Sequence, residues 1–215
     1  MFTGVVREIG TVVGIDRKAG LDRLAVHAPK TAVGLRPSES VAINGVCLSV
    51  TGIRSGGISF DVVPETRRLT NLGKLAPGAH VNVEPSLTLR ERVNGHLVLG
   101  HIDGLGQIVS REEQAGQLEL EIRVDRTIRQ YLVPKASVAV DGVSLTVGRR
   151  LTPNLFSVFL IPDTIRKTTL GQRNVRDLVN IEVDYLAKLV TQALESHGRL
   201  CSSLKGRSRT GASNG

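Results

Sequence analysis

Hydrophobic and polar residues alternate along most of this chain, in short runs rich in Val, Ile and Leu. Gly, Pro and Asn interrupt the runs at intervals of roughly ten residues, a texture typical of all-β proteins. Because successive side chains of a strand point to opposite faces, this period of two indicates strands that bury one face. In the first half the pattern predicts six strands, over residues 5–15, 24–27, 40–43, 46–53, 58–62 and 80–83. Single helical turns are predicted at residues 65–70 and 163–168.

One strand-turn-strand pattern occurs twice, over residues 41–50 and 138–147. Asn44-Gly45 stands at the centre of the first copy and Asp141-Gly142 at the centre of the second. Such pairs tolerate the positive φ angles of a tight hairpin turn, so each copy predicts two antiparallel strands.

The strand after each turn carries small polar side chains on one of its faces. Cys47 and Ser49 share a face in the first copy, and Ser144 and Thr146 share the corresponding face in the second. In a single strand, such residues would simply indicate a solvated or half-buried face. Their recurrence in both copies favours a site that was duplicated together with the fold.

The similarity between the copies covers nearly the whole chain before its basic end. Residues 1–6 match 97–102, residues 44–47 match 141–144, residues 60–66 match 158–164 and residues 81–84 match 179–182, at offsets of 96 to 98. We therefore predict a tandem duplication, with an N-terminal barrel at residues 1–96 and a C-terminal barrel at residues 97–183. Six short strands suit a closed β-barrel of Greek-key type, because closure leaves no exposed sheet edge. The predicted fold class is all-β, with two tandem six-stranded barrels followed by a C-terminal α-helix.

The hydrophobic period changes after the second copy. Apolar residues recur there at helical spacing, at Leu186, Leu189, Val190, Ala193 and Leu194. This spacing predicts an amphipathic helix over residues 184–198 that ends at Gly198. Two complete barrels need no further covering, so the helix favours subunit assembly. Residues 199–215, rich in Ser, Gly and Arg, are predicted to form a disordered basic tail.

The amino-acid composition limits the kinds of binding partner that this chain is expected to have. With 40% apolar and 22% charged residues, and no apolar run of membrane-spanning length or secretory signal, a globular protein without a membrane partner is expected. Cys47 and Cys201 form neither a disulfide framework nor a metal motif, which favours a reducing compartment, the cytoplasm. The net charge is +8, and residues 199–215 supply +4 of it. Aromatic residues make up only 3%, so platforms for stacking nucleic-acid bases are scarce.

Two histidines, His96 and His101, lie in the segment that opens the second copy. On an extended strand a spacing of five turns the two rings to opposite faces, which makes a poor metal site. Either ring could transfer a proton near neutral pH, and a structural role is an equal alternative for each. His27, His80 and His197 have no counterpart and are interpreted as surface or core residues.

Taken together, the motifs resemble riboflavin synthase of the alpha-chain type. The segments that carry the resemblance are Met1-Phe2-Thr3-Gly4, Asn44-Gly45-Val46-Cys47-Leu48, Pro64-Glu65-Thr66, Gly95-His96, Gly100-His101, Asp141-Gly142-Val143-Ser144-Leu145-Thr146-Val147 and Ile161-Pro162-Asp163-Thr164. The resemblance implies a homotrimer held by the C-terminal helices, with each active site shared between subunits. It also implies a dismutation of two 6,7-dimethyl-8-ribityllumazine molecules, by transfer of four carbons, that needs no metal and no cofactor.

The resemblance further implies roles for particular residues. His101 would move protons at the C7 methyl group, and Ser144, with Thr146 beside it, would add to C7 or hold a nucleophile there. Cys47, a further catalytic candidate, and Ser49 would line the partner pocket. The remaining expected substrate-binding residues are Phe2, Gly4, Val5, Val6, Leu48, Asp61, Val62, Val63, Pro64, Glu65, Thr66, Gly100, Ile102, Lys135, Leu145, Phe159, Leu160, Ile161, Pro162, Asp163, Thr164 and Asp184.

Two alternatives stay open at this point. A lumazine- or flavin-carrying relative would keep the barrels and one pocket without catalysis. The presence of small polar pairs in both copies favours the enzyme over such a carrier. A pair of oligonucleotide-binding barrels with a basic tail would be expected to carry more aromatic residues than this chain does.

Overall fold

The structure is a computed structural model, which describes residues 1–18, 20–148 and 153–207, the last of these from residue 197 onward as helical backbone alone. The first repeat forms six antiparallel strands: β1 (Glu8–Arg17), β2 (Asp22–His27), β3 (Ser40–Ile43), β4 (Val46–Arg54), β5 (Gly57–Val62) and β6 (His80–Pro85). They close into a barrel in the order β1-β2-β5-β4-β3-β6. Strand β6 returns beside β3, which with β4 and β5 makes the Greek-key order.

The second repeat has the same connections. Its strands are β7 (Gly104–Gln114), β8 (Gln117–Arg123), β9 (Ser137–Val140), β10 (Val143–Thr146), β11 (Leu155–Leu160) and β12 (Leu178–Val183), in the order β10-β9-β12-β7-β8-β11. Among the described residues, strands β10 and β11 are joined by a bridge between Val147 and Val158, beside which the Gly148 N–H donates to the Ser157 carbonyl at 2.7 Å.

Short helices connect the strands, and two of them, α2 and α4 below, lie where the sequence predicts helical turns. Helices α1 (Pro29–Ala32) and α3 (Arg126–Arg129) precede the third strand of each repeat. Helices α2 (Pro64–Leu69) and α4 (Pro162–Lys167) follow the fifth strand, and 3₁₀ turns at Asn71–Lys74 and Thr169–Gln172 lead into the sixth. Proline at the first position suits both α2 and α4, because its missing N–H would be unpaired there anyway.

The first strand begins later than the sequence pattern predicts. It was expected from residue 5, but β1 begins at Glu8. Before that point the Arg7 N–H donates to the Val83 carbonyl at 2.8 Å. The Phe2 N–H and the Gly4 carbonyl instead bond to Val98 and Ser144 of the second repeat.

Each barrel encloses its own hydrophobic core, with Phe60 fully buried in the first and Phe156 in the second. A small third cluster lies between the barrels and contains Phe2, Val98 and two alanines of the β3 and β9 strands. The chain thus has two cores joined by an interface.

The two predicted hairpin turns meet at the centre of that interface. Asn44 and Gly45 have φ angles of +46° and +79°, and Asp141 and Gly142 have φ angles of +45° and +76°. A β-carbon on Gly45 would lie 2.6 Å from the Gly142 nitrogen, so only glycine lets the two turns pack together.

A buried hydrogen-bond network surrounds these turns. Asn180 donates to the Asn44 carbonyl at 2.8 Å, and Asn82 donates to the Asp141 carbonyl at 2.9 Å, an exchange between equivalent residues of the two repeats. Asn71 donates to the Asp141 carboxylate at 2.8 Å, and that carboxylate also accepts from Arg173 at 2.8 Å. Burial raises the pKa of Asp141, and the charge of Arg173 opposes that shift.

The C-terminal helix α5 spans Tyr185–Arg207, so the predicted end at Gly198 is wrong. A glycine inside a helix costs only about 1 kcal/mol, and Leu200 and Leu204 continue the apolar spacing beyond it. Part of the predicted disordered tail is therefore helical, and residues 208–215 lie outside the described residues. No helix in the described part of the chain is long and apolar enough to span a membrane.

Candidate functional site

The N-terminal segment pairs with the segment that opens the second repeat. The Phe2 N–H donates to the Val98 carbonyl at 2.7 Å, and the Val98 N–H donates back to Phe2 at 3.1 Å. The His96 N–H donates to the Thr3 carbonyl at 3.2 Å. The two leading segments therefore form a short antiparallel ribbon between the barrels.

The leading segment of each repeat, residues 1–6 or 97–102, contacts the barrel of the other repeat. The Gly4 carbonyl, in the first repeat, accepts from the Ser144 N–H of β10 at 2.8 Å. The Gly100 carbonyl, in the second repeat, accepts from the Cys47 N–H of β4 at 3.0 Å. Each barrel thus presents its polar strand beside the other repeat's leading segment, so Val5 lies near Ser144 and His101 lies near Cys47.

Both crossings depend on glycine. Gly4 and Gly100 have φ angles of +75° and +81°, which L-residues with a side chain rarely adopt. A β-carbon would lie 2.6 Å from the Ser144 Cβ at Gly4, and 2.5 Å from the Cys47 Cβ at Gly100. No side chain fits in either contact.

A buried carboxylate holds each leading segment in place. Glu84 of β6 accepts from the Thr3 N–H at 2.7 Å, the Thr3 hydroxyl at 2.8 Å and the Gly4 N–H at 3.1 Å. Glu182 of β12 accepts from the Leu99 N–H at 2.7 Å and the Gly100 N–H at 2.9 Å. Desolvation raises the pKa of both carboxyl groups, and that of Glu182 reaches about 7.

His96 and Ser144 form the closest side-chain pair at the site, with 2.7 Å between the imidazole Nδ1 and the serine Oγ. Burial lowers the pKa of His96, and the carboxylate of Asp184 partly opposes that shift. A neutral imidazole can accept the serine proton at Nδ1, which would make the hydroxyl a better nucleophile.

The polar faces of β4 and β10 point outward, as the alternation predicts. Cys47 and Ser144 are half-buried, whereas Ser49 and Thr146 are exposed. Leu48 and Leu145 point into the barrel cores, so these two expected binding residues can offer only backbone atoms.

Exposed apolar residues border both polar faces. Val5 and Val63 are 48% and 49% exposed, and Phe159 and Ile161 are 49% and 59% exposed. Val63 and Ile161 are the residues that directly precede helices α2 and α4. Apolar groups beside small polar groups suit a heterocycle with hydrogen-bonding edges.

The sequence comparisons bear on the same two halves. The model of the lumazine binding domain family matches residues 3–86 and again residues 99–184. Riboflavin synthase of Mycobacterium tuberculosis strain H37Rv is 39% identical over 201 residues, covering 92% of this chain and 100% of the relative. Those of Escherichia coli strain K12 and Bacillus subtilis strain 168 are 38% and 34% identical, over 91% and 90% of this chain and 92% and 90% of the relatives. The chain belongs to the riboflavin synthase family.

Solved structures agree at the level of the fold. LumP in complex with 6,7-dimethyl-8-(1'-D-ribityl) lumazine superposes with a TM-score of 0.77 at 21% identity, covering 86% of this chain and 99% of that chain. LumP in complex with riboflavin gives a TM-score of 0.80 at 20% identity, over 86% and 100% of the two chains. The predicted fold class, a duplicated lumazine-binding barrel with a terminal helix, is confirmed.

Several residues that the riboflavin synthase resemblance singles out are not at an open face. Phe2 is fully buried in the inter-barrel cluster, and Gly4, Val62, Gly100 and Leu160 are buried as well. Within a single chain Phe2 therefore packs the interface of the repeats. The buried backbone positions can act only through their N–H and carbonyl groups.

The charged residues among the expected substrate-binding residues lie at the edges of the two polar faces. Glu65 pairs with Arg68 at 2.8 Å and Asp163 pairs with Lys167 at 2.8 Å, both on the outer turns of α2 and α4. Asp61 lies 3.5 Å from Arg23. The other candidates at these edges are Pro64, Thr66, Pro162, Thr164 and the exposed Lys135.

The contact between His96 and Ser144 is the feature that sequence reasoning missed. His101 carried the proton-transfer prediction, and it is exposed and makes no hydrogen bond through its ring in the described structure. The sequence did contain an indication that His96 belongs to the site, because the Gly95-His96 motif is one of the segments that carry the family resemblance. A β-carbon on Gly95 would collide with the Thr3 carbonyl, which shows how closely the ribbon packs there.

Among the residues that the structure describes, no three His, Cys, Asp or Glu side chains are grouped as a metal ion would require.

Proposed function

We propose that this chain is a riboflavin synthase, a transferase that converts two 6,7-dimethyl-8-ribityllumazine molecules into riboflavin and 5-amino-6-(D-ribitylamino)uracil. One molecule donates a four-carbon unit and the other accepts it. The observation that carries the proposal is the pair of outward polar faces, Cys47 with Ser49 and Ser144 with Thr146, each beside the other repeat's leading segment. The identity of 39% over the whole length of a riboflavin synthase supports it.

Duplication suits this reaction because the two reactants are identical and their roles are not. Two similar faces can bind two copies of one heterocycle. Holding both in register replaces a rare encounter with a unimolecular step, which can lower a barrier by about 7–11 kcal/mol. Unlike side chains on the two faces then decide which molecule donates carbon.

The unlike side chains suggest the division of roles. At the Ser144 face, neutral His96 would accept the hydroxyl proton while Ser144 adds to C7 or holds the nucleophile there. At the Cys47 face, His101 would move protons at the C7 methyl group, and Cys47 and Ser49 would line the pocket. No redox partner is required, because the carbons gained by one molecule are lost by the other.

Helix α5 supports assembly into the homotrimer that the family resemblance implies. Its apolar stripe stays exposed in the single chain, with Leu186, Leu189, Val190 and Leu194 between 44% and 68% exposed. Lys188 ties the first turns of the helix to Asp103 at 2.6 Å. We propose that three such stripes pack together in the cytoplasmic enzyme, so that the Cys47 face of one subunit meets the Ser144 face of the next.

The direct test is to mix the full-length protein with 6,7-dimethyl-8-ribityllumazine and follow riboflavin by absorbance. We expect one riboflavin for every two lumazines consumed, without added metal or cofactor. Tight lumazine binding without any conversion would contradict the proposal and would favour a carrier of the same fold.

A further inference from the structure

A second cleft, of about 490 Å³, opens between the repeats on the side away from the polar faces. It lies where β6 and β12 begin, at His80 and Leu178, whereas Glu84 and Glu182 lie near the far ends of the same strands. The 3₁₀ turns at Asn71–Lys74 and Thr169–Gln172 form its walls. Its volume is within the range of roughly 300–1,000 Å³ that is typical of small-molecule sites.

The cleft is positively charged. Lys74, Arg173 and Arg176 line it together with the carboxylate of Asp177, which accepts the Asn174 N–H at 2.8 Å. The Arg173 guanidinium is also paired with the buried carboxylate of Asp141 at 2.8 Å. The three cations outnumber these two carboxylates by one, so the fixed charges favour an anion.

The positive residues of the cleft have no charged counterparts in the other repeat. At the offset of 98 that relates these segments, Lys74 matches Gln172, Arg173 matches Leu75 and Arg176 matches Gly78. All three counterparts are uncharged, so each cation belongs to one repeat only.

Two buried polar groups at the cleft lack a partner in the described structure. Thr169 is 2% exposed and its hydroxyl makes no hydrogen bond. Arg173 donates from Nη2 to Asp141, while its buried Nε–H has no acceptor. Both atoms are buried beneath the surface of the cleft, so they belong to its floor and do not themselves face an entering ligand.

Arg176 occupies a strained backbone position. Its φ angle is +80°, and the equivalent residue of the first repeat is Gly78, with a φ angle of +88°. Glycine adopts this conformation freely, whereas a residue with a side chain does so at a cost. Backbone strain of this kind clusters at functional sites.

We propose that this cleft binds a small phosphorylated molecule of about mononucleotide size. Arg173 and Arg176 would hold the phosphate, since guanidinium groups match phosphate oxygens in charge and geometry. Lys74 would add a third cation. The organic part would lie against Leu75 and Leu178, because the cleft is larger than a bare phosphate. This site is separate from the proposed lumazine faces.

The test is calorimetric titration of the full-length protein with adenosine 5′-monophosphate, with riboflavin present in excess to fill the lumazine faces. We expect saturable binding that inorganic phosphate competes away and that adenosine does not reproduce. The double variant Lys74→Gln/Arg176→Gln should bind at least about tenfold more weakly. The matched control Lys30→Gln/Arg54→Gln removes the same charge outside the cleft and should bind as the wild type does.

The variant Arg176→Gly separates a binding role from a folding role. It should bind the nucleotide more weakly while its melting temperature stays equal or rises, because the backbone strain is relieved. Absence of saturable binding, equal binding of adenosine, or an equal loss in the control pair would each overturn the proposal. Loss of riboflavin synthesis alone would not affect it, since the measured quantity is affinity for the nucleotide.

Discussion

The two repeats share one backbone frame and differ in the side chains that the frame presents. In each repeat a glycine carbonyl pairs with the strand of the other barrel, and a buried glutamate holds the segment that carries this glycine. The strands themselves present Cys47 in one repeat and Ser144 in the other. The backbone frame is therefore common to both repeats, while the side chains at the exposed faces differ, as the proposed division of roles between two like molecules requires.

The glutamates show the same contrast in electrostatic form. Glu84 gains an additional donor, the Thr3 hydroxyl at 2.8 Å, whereas Glu182 has the carboxylate of Asp103 nearby. The extra donor favours the ionised form of Glu84. The pKa of Glu182 rises to about 7, against an ordinary value of 4.5, mainly because burial desolvates the carboxyl group, and Asp103 adds a smaller contribution in the same direction.

The largest loss of activity is expected from a change at His101. The equivalent residue of the first repeat is Val5, so that repeat has no proton-transfer group at this position that could replace it. Replacing the ring by His101→Ala should lower the turnover number for lumazine by about 100-fold or more, the usual contribution of a proton-transfer group. His27→Ala, which changes a histidine outside the site, is the control. Near-normal turnover of His101→Ala would remove His101 from the mechanism.

The repeat, the strands, the hairpin turns and the outward polar faces could be predicted from sequence, because each depends on local period or on turn chemistry. The exchange of leading segments could not. The pairing of Gly4 with Ser144 joins residues far apart in the chain, and nothing in the alternation records which barrel a segment crosses to. The prediction that helix α5 ends at Gly198 is wrong for a different reason. A single glycine is a weak stop signal, and the apolar residues continue at helical spacing beyond it.

The crossing itself is tested by Gly100→Ala. The new methyl group would meet Cys47 at 2.5 Å in a backbone of positive φ. We expect a loss of about 3 kcal/mol in the free energy of unfolding, from overpacking and strain together. Gly116→Ala is the matched control, because Gly116 has a φ angle of +77° with nothing within 4 Å of the added carbon.

The control should lose only about 1 kcal/mol, from strain alone. Equal losses in chemical denaturation of the two variants would mean that the Gly100 segment does not pack on Cys47. The same pair of measurements at Gly4 would compare the two crossings.

The contact between His96 and Ser144 gives a second test of the difference between the two faces. His96→Ala and Ser144→Ala should each lower turnover, and the double variant should lose little more than either single variant. Groups that act as a unit show such coupling, typically about 1–2 kcal/mol. Fully additive losses in a double-mutant cycle would show that the two side chains act independently.

The smallest effect concerns the pH dependence of stability. Because the pKa of Glu182 is raised on folding, the folded state retains its proton between the ordinary pKa of 4.5 and about 7. The stability contributed by this group is therefore fully present at low pH and is lost as the pH rises through that window. The slope is at most about 1.4 kcal/mol per pH unit.

Glu182→Gln removes this titration, so the free energy of unfolding of the wild type relative to the variant should fall between about pH 5 and pH 7. Glu91→Gln is the control. Hydrogen bonds from Thr88 lower the pKa of Glu91, so it is ionised throughout that window. A difference between wild type and Glu182→Gln that did not vary with pH would contradict the raised pKa.

In the proposed mechanism two unlike faces, one from each of two subunits, act on two like molecules. Mixing His101→Ala chains with Ser144→Ala chains, after dissociation and reassembly, tests it most directly, because each variant retains the face that the other lacks. Each variant alone should be nearly inactive, and the mixture should regain about a quarter of wild-type riboflavin synthesis if subunits assort at random. A mixture no more active than its components would contradict the account, because it would place both faces of a working site in a single chain.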